Sequence, residues 1–361
     1  MLVLQKSQFK RMLDYLVLLL GISIIVMVIS DFAVTVFIPR GAGFITGGIT
    51  VFIAKIFKFL SGNTGIKKIL EYKLVFIIAI MIISWLLLIW TAVVLIFSFD
   101  YNSIINAETK IPAKFDEKIY FVGYTISTLG LGDFQPNGTV WRFFTSVVSL
   151  MGFMVLTISI TYIVPVVSSI IEKQTLTLQI ASLGQTTQEI LVNGYNGKNF
   201  KDLSNEFSDL SNSIFKHAKN HSAYPVLHHV HNSSKNENTI LKLVSLDEAC
   251  TILLYHIPQE KCVSDNSLNQ LRAALTYYLK TVRNLKLPEE QPPAPVDDML
   301  EKALDFKLIH TTETEIQQKY SELSLRRRIL IALVKDDGFK WEDTTGETET
   351  YFPEWIEKEE N

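Results

Sequence analysis

Tyr120-Phe121-Val122-Gly123-Tyr124-Thr125-Ile126-Ser127-Thr128-Leu129-Gly130-Leu131-Gly132-Asp133-Phe134 is the stretch whose reading decides how this chain folds. It lies between two long uncharged runs. It is too short to cross a bilayer and return, and too apolar for an ordinary exposed loop. The pattern predicts a half-helix, about residues 116–127, that dips in and comes back as extended backbone. Irregular backbone at membrane depth is tolerated only where it is buried in protein or lines a water-filled path. Gly130 and Gly132, one residue apart, permit dihedrals that other residues disfavour, so that successive carbonyls can point the same way. Rings of such carbonyls from several chains can replace a cation's hydration shell.

Working outward, residues 74–99 carry no charged side chain. A helix of that length, at about 1.5 Å per residue, exceeds a hydrocarbon core of about 30 Å and spans it with tilt. A second uncharged run separates Arg142 from Glu172, and a third, Tyr15 to Ile38, is interrupted once, by Asp31. A soluble domain has no reason to keep three such runs free of charge, and the first continues too far for a cleaved signal peptide. Residues 44–60 differ. Ile45, Ile49, Phe52, Ile53, Ile56 and Leu60 share one helical face and Thr46, Thr50, Lys55 and Lys58 take the other, the pattern of a helix lying in the interface; a fourth span would bury both lysines. Six Lys/Arg between Arg40 and Lys73, against three in the N-terminal tail, place that connection in the cytoplasm by the positive-inside rule. The chain then leaves through residues 74–99, returns through 143–171 and keeps its C-terminal half cytoplasmic, with a short external N-terminal tail.

Thr128-Leu129-Gly130-Leu131-Gly132-Asp133 resembles the potassium-channel selectivity-filter signature, usually Thr-Val-Gly-Tyr-Gly-Asp, set between an outer and an inner helix as that family requires. Leu131 in place of the aromatic is similar to the Gly-Leu-Gly filters of two-pore-domain potassium channels. The match covers about residues 74–172. The first span, with Asp31-Phe32-Ala33-Val34-Thr35-Val36 followed by Pro39-Arg40-Gly41, also looks like a group of bacterial one-pore potassium channel proteins. The resemblance implies that the carbonyls of Thr128, Leu129, Gly130 and Leu131, with the Thr128 hydroxyl, coordinate dehydrated K⁺, and that Gly132 and Asp133 shape the outer mouth. Many family members place a glutamate behind the filter where this sequence has Tyr124, so a carboxylate pair with Asp133 is unavailable. One pore segment per chain supplies one quarter of the carbonyl ring, which makes a homotetramer the expected assembly.

On the inner helix Gly152 matches the family's hinge glycine, or else marks close helix packing. Phe153, Leu156 and Ile160 recur at helical spacing and face the cavity in the family alignment; as a bare pattern they suit lipid equally. Pro165 removes one helical hydrogen bond and predicts a kink near a cytoplasmic gate. Asp31, a carboxylate in an apolar run, is either a structural hydrogen-bonding group or a coupling element between the first helix and the pore.

The chain has 361 residues, 48% hydrophobic and 20% charged, with net charge −3. That average hides two bodies: residues 1–172 carry 13 Lys+Arg and 9 Asp+Glu, residues 173–361 carry 21 and 28. Nucleic acid is therefore not an expected partner. Cys250 and Cys262 match no zinc or haem spacing, so neither a disulfide scaffold nor a cysteine metal site is expected. Residues 173–361 read as mostly helical, with apolar periodicity in 241–255, 268–285 and 316–334, a capping box at Thr312 and Glu315, and breaks at 193–198, 232–238 and 288–295. No Gly-rich nucleotide fingerprint and no arginine-studded span is present. His217 and His221 sit at i, i+4 in a cluster with His228, His229 and His231, read as surface histidines before a zinc or proton site. Arg326-Arg327-Arg328 reads as a solvated helix face. The acidic tail carries Phe339, Trp341, Tyr351, Phe352 and Trp355 and is expected to dock.

The expectation is an all-α membrane protein in three parts: residues 1–72 as an N-terminal membrane helix and interfacial helix, 73–172 as the pore, 173–361 as a helical cytoplasmic domain. Its expected work is passive K⁺ transport across the plasma membrane, with K⁺ as the transported ion, no organic cofactor, no metal site and no catalytic residues. The expected partners are the lipid bilayer, the other copies of the chain and an unidentified small-molecule or ion regulator of the C-terminal domain. The alternatives are a less selective cation channel and a membrane-anchored scaffold with a non-conducting pore. No nucleophile, base and oxyanion arrangement suggests an enzyme.

Overall fold

The computed structural model describes residues 2–38, 41–64, 72–230, 234–282, 287–288 and 313–345. The first helices are α1 (Leu2–Phe37), α2 (Phe44–Thr64), α3 (Lys73–Ser98), α4 (Phe115–Ile126) and α5 (Thr139–Leu183). Strands β1 (Ile104–Asn106) and β2 (Phe134–Pro136) flank α4 as an antiparallel ribbon. Helices α6 (Thr187–Gly194), α7 (Leu203–Ala223), α8 (Thr239–Tyr255), α9 (Asp265–Thr281) and α10 (Glu313–Asp336) follow. Among the described residues, three helical segments are long and apolar enough to cross a membrane: Gln8–Phe37, Lys73–Ser98 and Thr139–Leu183. The chain forms two compact units, one from residues up to Val167 with Tyr224–His229, the other from Ser168–Ala223 and the described residues from Val230 onward. The described residues up to Thr64 share a unit with those from Tyr72 to Val167, and residues 172 and 173 lie inside α5.

In the first unit α1 runs antiparallel along α3. Tyr15 meets Phe99 (5.3 Å between ring centres), Gly21 approaches the Ala92 carbonyl so closely that a Cβ would stand 2.8 Å from it, and Phe32 meets Trp85 edge-on (4.9 Å). A small residue at the crossing lets two membrane helices pack backbone to backbone. The opposite face of α1, with Leu16, Leu19 and Val26, is exposed and apolar, as a lipid-facing surface requires.

Asp31 resolves into a structural hub. Its carboxylate is buried and accepts hydrogen bonds from the Ile45 and Thr46 amides (2.6 and 3.2 Å), the Thr46 hydroxyl (2.7 Å) and the Trp85 indole (2.8 Å). It caps the N-terminus of α2 from another helix, satisfying amides that have no intrahelical partner. This corrects the placing of Thr46 on the outward, polar face of α2. Thr46, Ile53 and Phe57 form the buried stripe, Phe57 lies 5.6 Å from Phe76, and α2 descends beside α3 with Phe52 and Phe59 outward. A hydrophobic pattern alone could not show that a distant carboxylate recruits the threonine.

Helix α5 continues as one helix through Gly152 and Pro165. At Gly152 it presses on the end of α4: a Cβ there would stand 2.0 Å from the Ile126 carbonyl oxygen.

In the second unit α8 is the central helix, buried on nearly every face, with α7 and α9 packed as a pair beside it. Phe200, Phe207, Ile214, Leu246, Cys250 and Leu271 belong to the main core. A second cluster joins Leu241 and Val244 to Leu330, Ile331 and Val334 of α10 and to Phe339 and Trp341. Ser264 and Asn238 cap α9 and α8, accepting from the Ser267 and Leu241 amides (3.3 and 3.0 Å). Both cysteines are buried free thiols, and burial pushes that of Cys250 up to about 12.

The arginine run is corrected here. Arg326 pairs with Asp247 through Nε (2.8 Å to Oδ2), and Arg327 pairs with Glu248 through Nε (3.0 Å) and Nη2 (2.8 Å). Arg272 reaches Asp247 from α9 at 2.9 Å. Both carboxylates are almost wholly buried, so the arginines face the core and not solvent; Arg328 donates to the Pro288 carbonyl (2.7 Å). Burial pushes the Glu248 carboxyl up against the pull of Arg327. The histidine reading also changes: His217 and His221 are buried on α7, rings 5.7 Å apart, against Tyr278. His229 and His231 lie outside the described side chains, as do Thr312 and Glu315 of the expected capping box. The expected break after residue 288 and the tail aromatics Tyr351, Phe352 and Trp355 lie outside the described residues. Among the described residues no group of three or more His, Cys, Asp or Glu can hold a metal ion.

Two substitutions test this packing. Arg327→Ala leaves the Glu248 carboxylate buried without its partner and is expected to lower the stability of the second unit by about 3–5 kcal/mol, read as a fall in its unfolding midpoint. Gly152→Ala forces α5 from the end of α4 and is expected to cost about 1–3 kcal/mol, measured as a lower melting temperature of the full chain in detergent.

Candidate ion-conduction site

The site is built on α4. Asp116 and Glu117 occupy its first turn, where negative charge complements the helix dipole, and Glu117 accepts from the Lys114 amide (2.7 Å). Phe121, Val122, Tyr124 and Thr125 are buried. Trp90 of α3 donates to the Ile119 carbonyl (3.0 Å), and its ring lies so close to Gly123 that a Cβ there would stand 2.9 Å from it. The helix is therefore fixed lengthwise and in rotation.

Its C-terminus ends in a Schellman turn. The Leu129 amide donates back to the Tyr124 carbonyl (2.9 Å) and the Thr128 amide to the Thr125 carbonyl (3.1 Å). The left-handed residue of that turn is Thr128, with φ +59°. A left-handed dihedral on a β-branched residue is strained and persists only where surroundings impose it. Gly130 (φ +59°) and Gly132 (φ +88°) repeat the hand two and four residues on, with Leu129 and Leu131 outside the left-handed region. A backbone that alternates hand residue by residue turns successive carbonyls to one side. Among the described residues, the carbonyls of Thr128, Leu129, Gly130, Leu131 and Gly132 accept no hydrogen bond.

Beyond this segment the chain is held again. The Asp133 carbonyl accepts from the Ala107 amide (2.8 Å), and β2 pairs with β1 in the register Asn106↔Phe134 and Ile104↔Pro136. Tyr124, where a glutamate is common in related pores, donates its hydroxyl to the Phe134 carbonyl (2.8 Å) and braces the returning strand from behind. The sequence shows only that the glutamate is missing; the replacement bond needs the ribbon to bring Phe134 back over α4.

The other expected residues sit as follows. Leu129 and Leu131 are exposed on the single chain, and Phe153, Leu156 and Ile160 point away from its core along one face of α5. Gly152 makes the close contact with Ile126, and Pro165 lies two residues before Val167, where the first unit's main segment ends. A cleft of about 440 Å³, lined by Phe121, Tyr124, Gly130, Gly132, Ser146 and Ser149 among others, opens between α4 and α5 beside the strained segment. Sequence reasoning missed Lys118 and Trp90. Their signal was present: a lysine and a tryptophan inside otherwise apolar helical faces.

Residues 80–169 match the ion channel family model. The uncharacterized membrane protein YdjJ of Bacillus subtilis is 30% identical over 308 residues, which covers 85% of this chain and 89% of that protein. No solved structure matches the chain. The ion channel family transports ions and is not enzymatic, and its transported ion needs no organic cofactor. The chain belongs to the same family as YdjJ and is a membrane-embedded ion channel of the potassium-channel-like type.

Proposed function

We propose that the protein is a potassium-selective channel in which four chains bring residues 128–132 to a common axis. The observation that carries this reading is the alternation of hand at Thr128, Gly130 and Gly132 together with carbonyls that accept no hydrogen bond from any described residue. Non-helical backbone in a membrane needs partners, and a dehydrated cation supplies them. The C-terminal end of α4 adds its partial negative charge to the same place. Thr128, Leu129, Gly130, Leu131 and Gly132 form the ion path and Asp133 its mouth.

A tetramer accounts for the surface the protomer leaves open. Exposed Leu129 and Leu131, and the cleft beside the segment, are faces that a neighbouring copy covers. In this arrangement Phe153, Leu156 and Ile160 line the cavity and the end of α5 around Pro165 carries the gate. The second unit, cytoplasmic by the charge rule, regulates it in the plasma membrane in response to a small molecule or ion. A second reading, a less selective cation channel, is favoured by Leu131, which brings no hydroxyl to the outside of the filter where related pores carry an aromatic.

The test is flux through the full chain in liposomes under separate K⁺ and Na⁺ gradients. A reversal potential that follows K⁺ supports the first reading, one that follows both ions the second, and no flux from correctly assembled protein overturns both. Gly130→Asp, which adds a carboxylate at a left-handed position facing open space, is expected to abolish flux while the oligomer seen by native mass spectrometry is unchanged. For the gate, single cysteines at 166–169 in a chain lacking Cys250 and Cys262 are expected to react at different rates in conducting and non-conducting states. Equal rates place the gate elsewhere.

A further inference from the structure

Lys118 sits on the first turns of α4, outside the three spans, and its side chain is buried. Its ammonium donates to the Phe97 carbonyl (2.8 Å), the Asp100 carbonyl (2.7 Å) and the Ser103 hydroxyl (3.0 Å). Three N–H donors meet three acceptors, so the group is fully used. The Phe97 carbonyl lies in the last turn of α3, where the helix dipole favours a cation, and the Asp100 carbonyl lies in the turn that follows. The Ser103 hydroxyl donates in turn to the Phe97 carbonyl (2.6 Å), which closes the cluster.

Among the described residues, no carboxylate touches the ammonium. Asp100 is the charged group that acts on it, from the turn after α3, and the Asp100 carboxylate is itself engaged by the Trp141 indole of α5 (2.8 Å). On α4 the nearest acidic residues, Asp116 and Glu117, belong to its N-terminal turn, and Glu117 is committed to the Lys114 amide. One side chain therefore ties α4 to the outer end of α3, which α5 also holds through Trp141. Eight residues separate Lys118 from the end of α4, where the strained segment begins.

We infer that Lys118 is a positioning residue for ion conduction, and that loss of its proton frees the outer end of α4 and lowers flux, so that the pore responds to alkaline pH. The inference rests on residues 128–132 being the ion path. A neutral amine has two N–H donors for the same three acceptors, and its lone pair must then face an oxygen. Burial lowers the Lys118 pKa to about 8, with Asp100 opposing the shift, so the protonated form predominates near pH 7 and is lost as pH rises through 8. The acceptors are neutral oxygens, and no titration of theirs intervenes in that range.

The experiment is flux of the full chain in liposomes with the same buffer on both sides, from pH 6.5 to 9.5. Wild-type flux at pH 9 is expected to fall to about a tenth of its pH 7 value, the change in protonated fraction for a group titrating near 8. Lys118→Met is expected to conduct weakly at every pH, without the fall. Ser103→Ala removes one acceptor of the charged form and is expected to move the midpoint to lower pH, a change that a merely structural role for Lys118 does not predict. A flat wild-type profile overturns the inference. So does a fall that persists unchanged in Lys118→Met or, should that variant fail to assemble, one whose midpoint Ser103→Ala leaves in place. Absence of flux from wild-type protein at every pH is a different result: it rejects the ion path itself.

Discussion

The membrane-embedded unit is organised around one constraint: backbone that is not helical must find partners where lipid offers none. Residues 128–132 break that rule within the single chain, and the surrounding elements hold them there. Trp90 and Gly123 fix the rotation of α4, Lys118 fixes its start, and the ribbon of β1 and β2 catches the chain as it leaves. None of these contacts reaches a carbonyl of the segment itself. The scaffold restrains both ends and leaves the middle for something outside the chain.

The dihedrals show why the residue types matter. A left-handed conformation costs an ordinary residue about 1–2 kcal/mol, and glycine escapes that cost. Gly130 and Gly132 occupy two of the three left-handed positions, and Thr128 holds the third despite its β-branch. Thr128 is tolerated because it closes the Schellman turn of α4, so two backbone hydrogen bonds already impose its geometry. It is also the position where a hydroxyl can add an oxygen to the row of carbonyls. Helix termination and the start of the run of open carbonyls thus coincide at one residue.

Much of this was legible in the amino-acid order because lipid imposes simple rules. An uncharged run as long as 74–99 has one reading, and a short apolar segment with paired glycines between two such runs has few. What stayed hidden depends on partners far apart in the chain. Arg327 looked solvated because it stands in a run of three arginines; Glu248, which buries it, lies 79 residues away. His217 and His221 looked superficial because α7 is polar overall, although Phe207, Leu210, Ile214 and Ala218 mark the buried stripe on which they fall. The Tyr124 bond to Phe134 required the ribbon, which three-residue strands do not announce.

Asp31 carries the same lesson into the bilayer. A carboxylate there is costly unless every lone pair is engaged, and four donors engage this one. The Trp85 donor lies twelve residues into α3, about 18 Å from its start, whereas Phe76, against which Phe57 rests, lies about 5 Å from it. Helix α2 therefore begins well inside the span of α3 and travels most of its length back along it. A helix N-terminus at that depth exposes amides that lipid cannot satisfy. Asp31 is the residue that makes such a start possible, and removing it leaves α2 no reason to begin there.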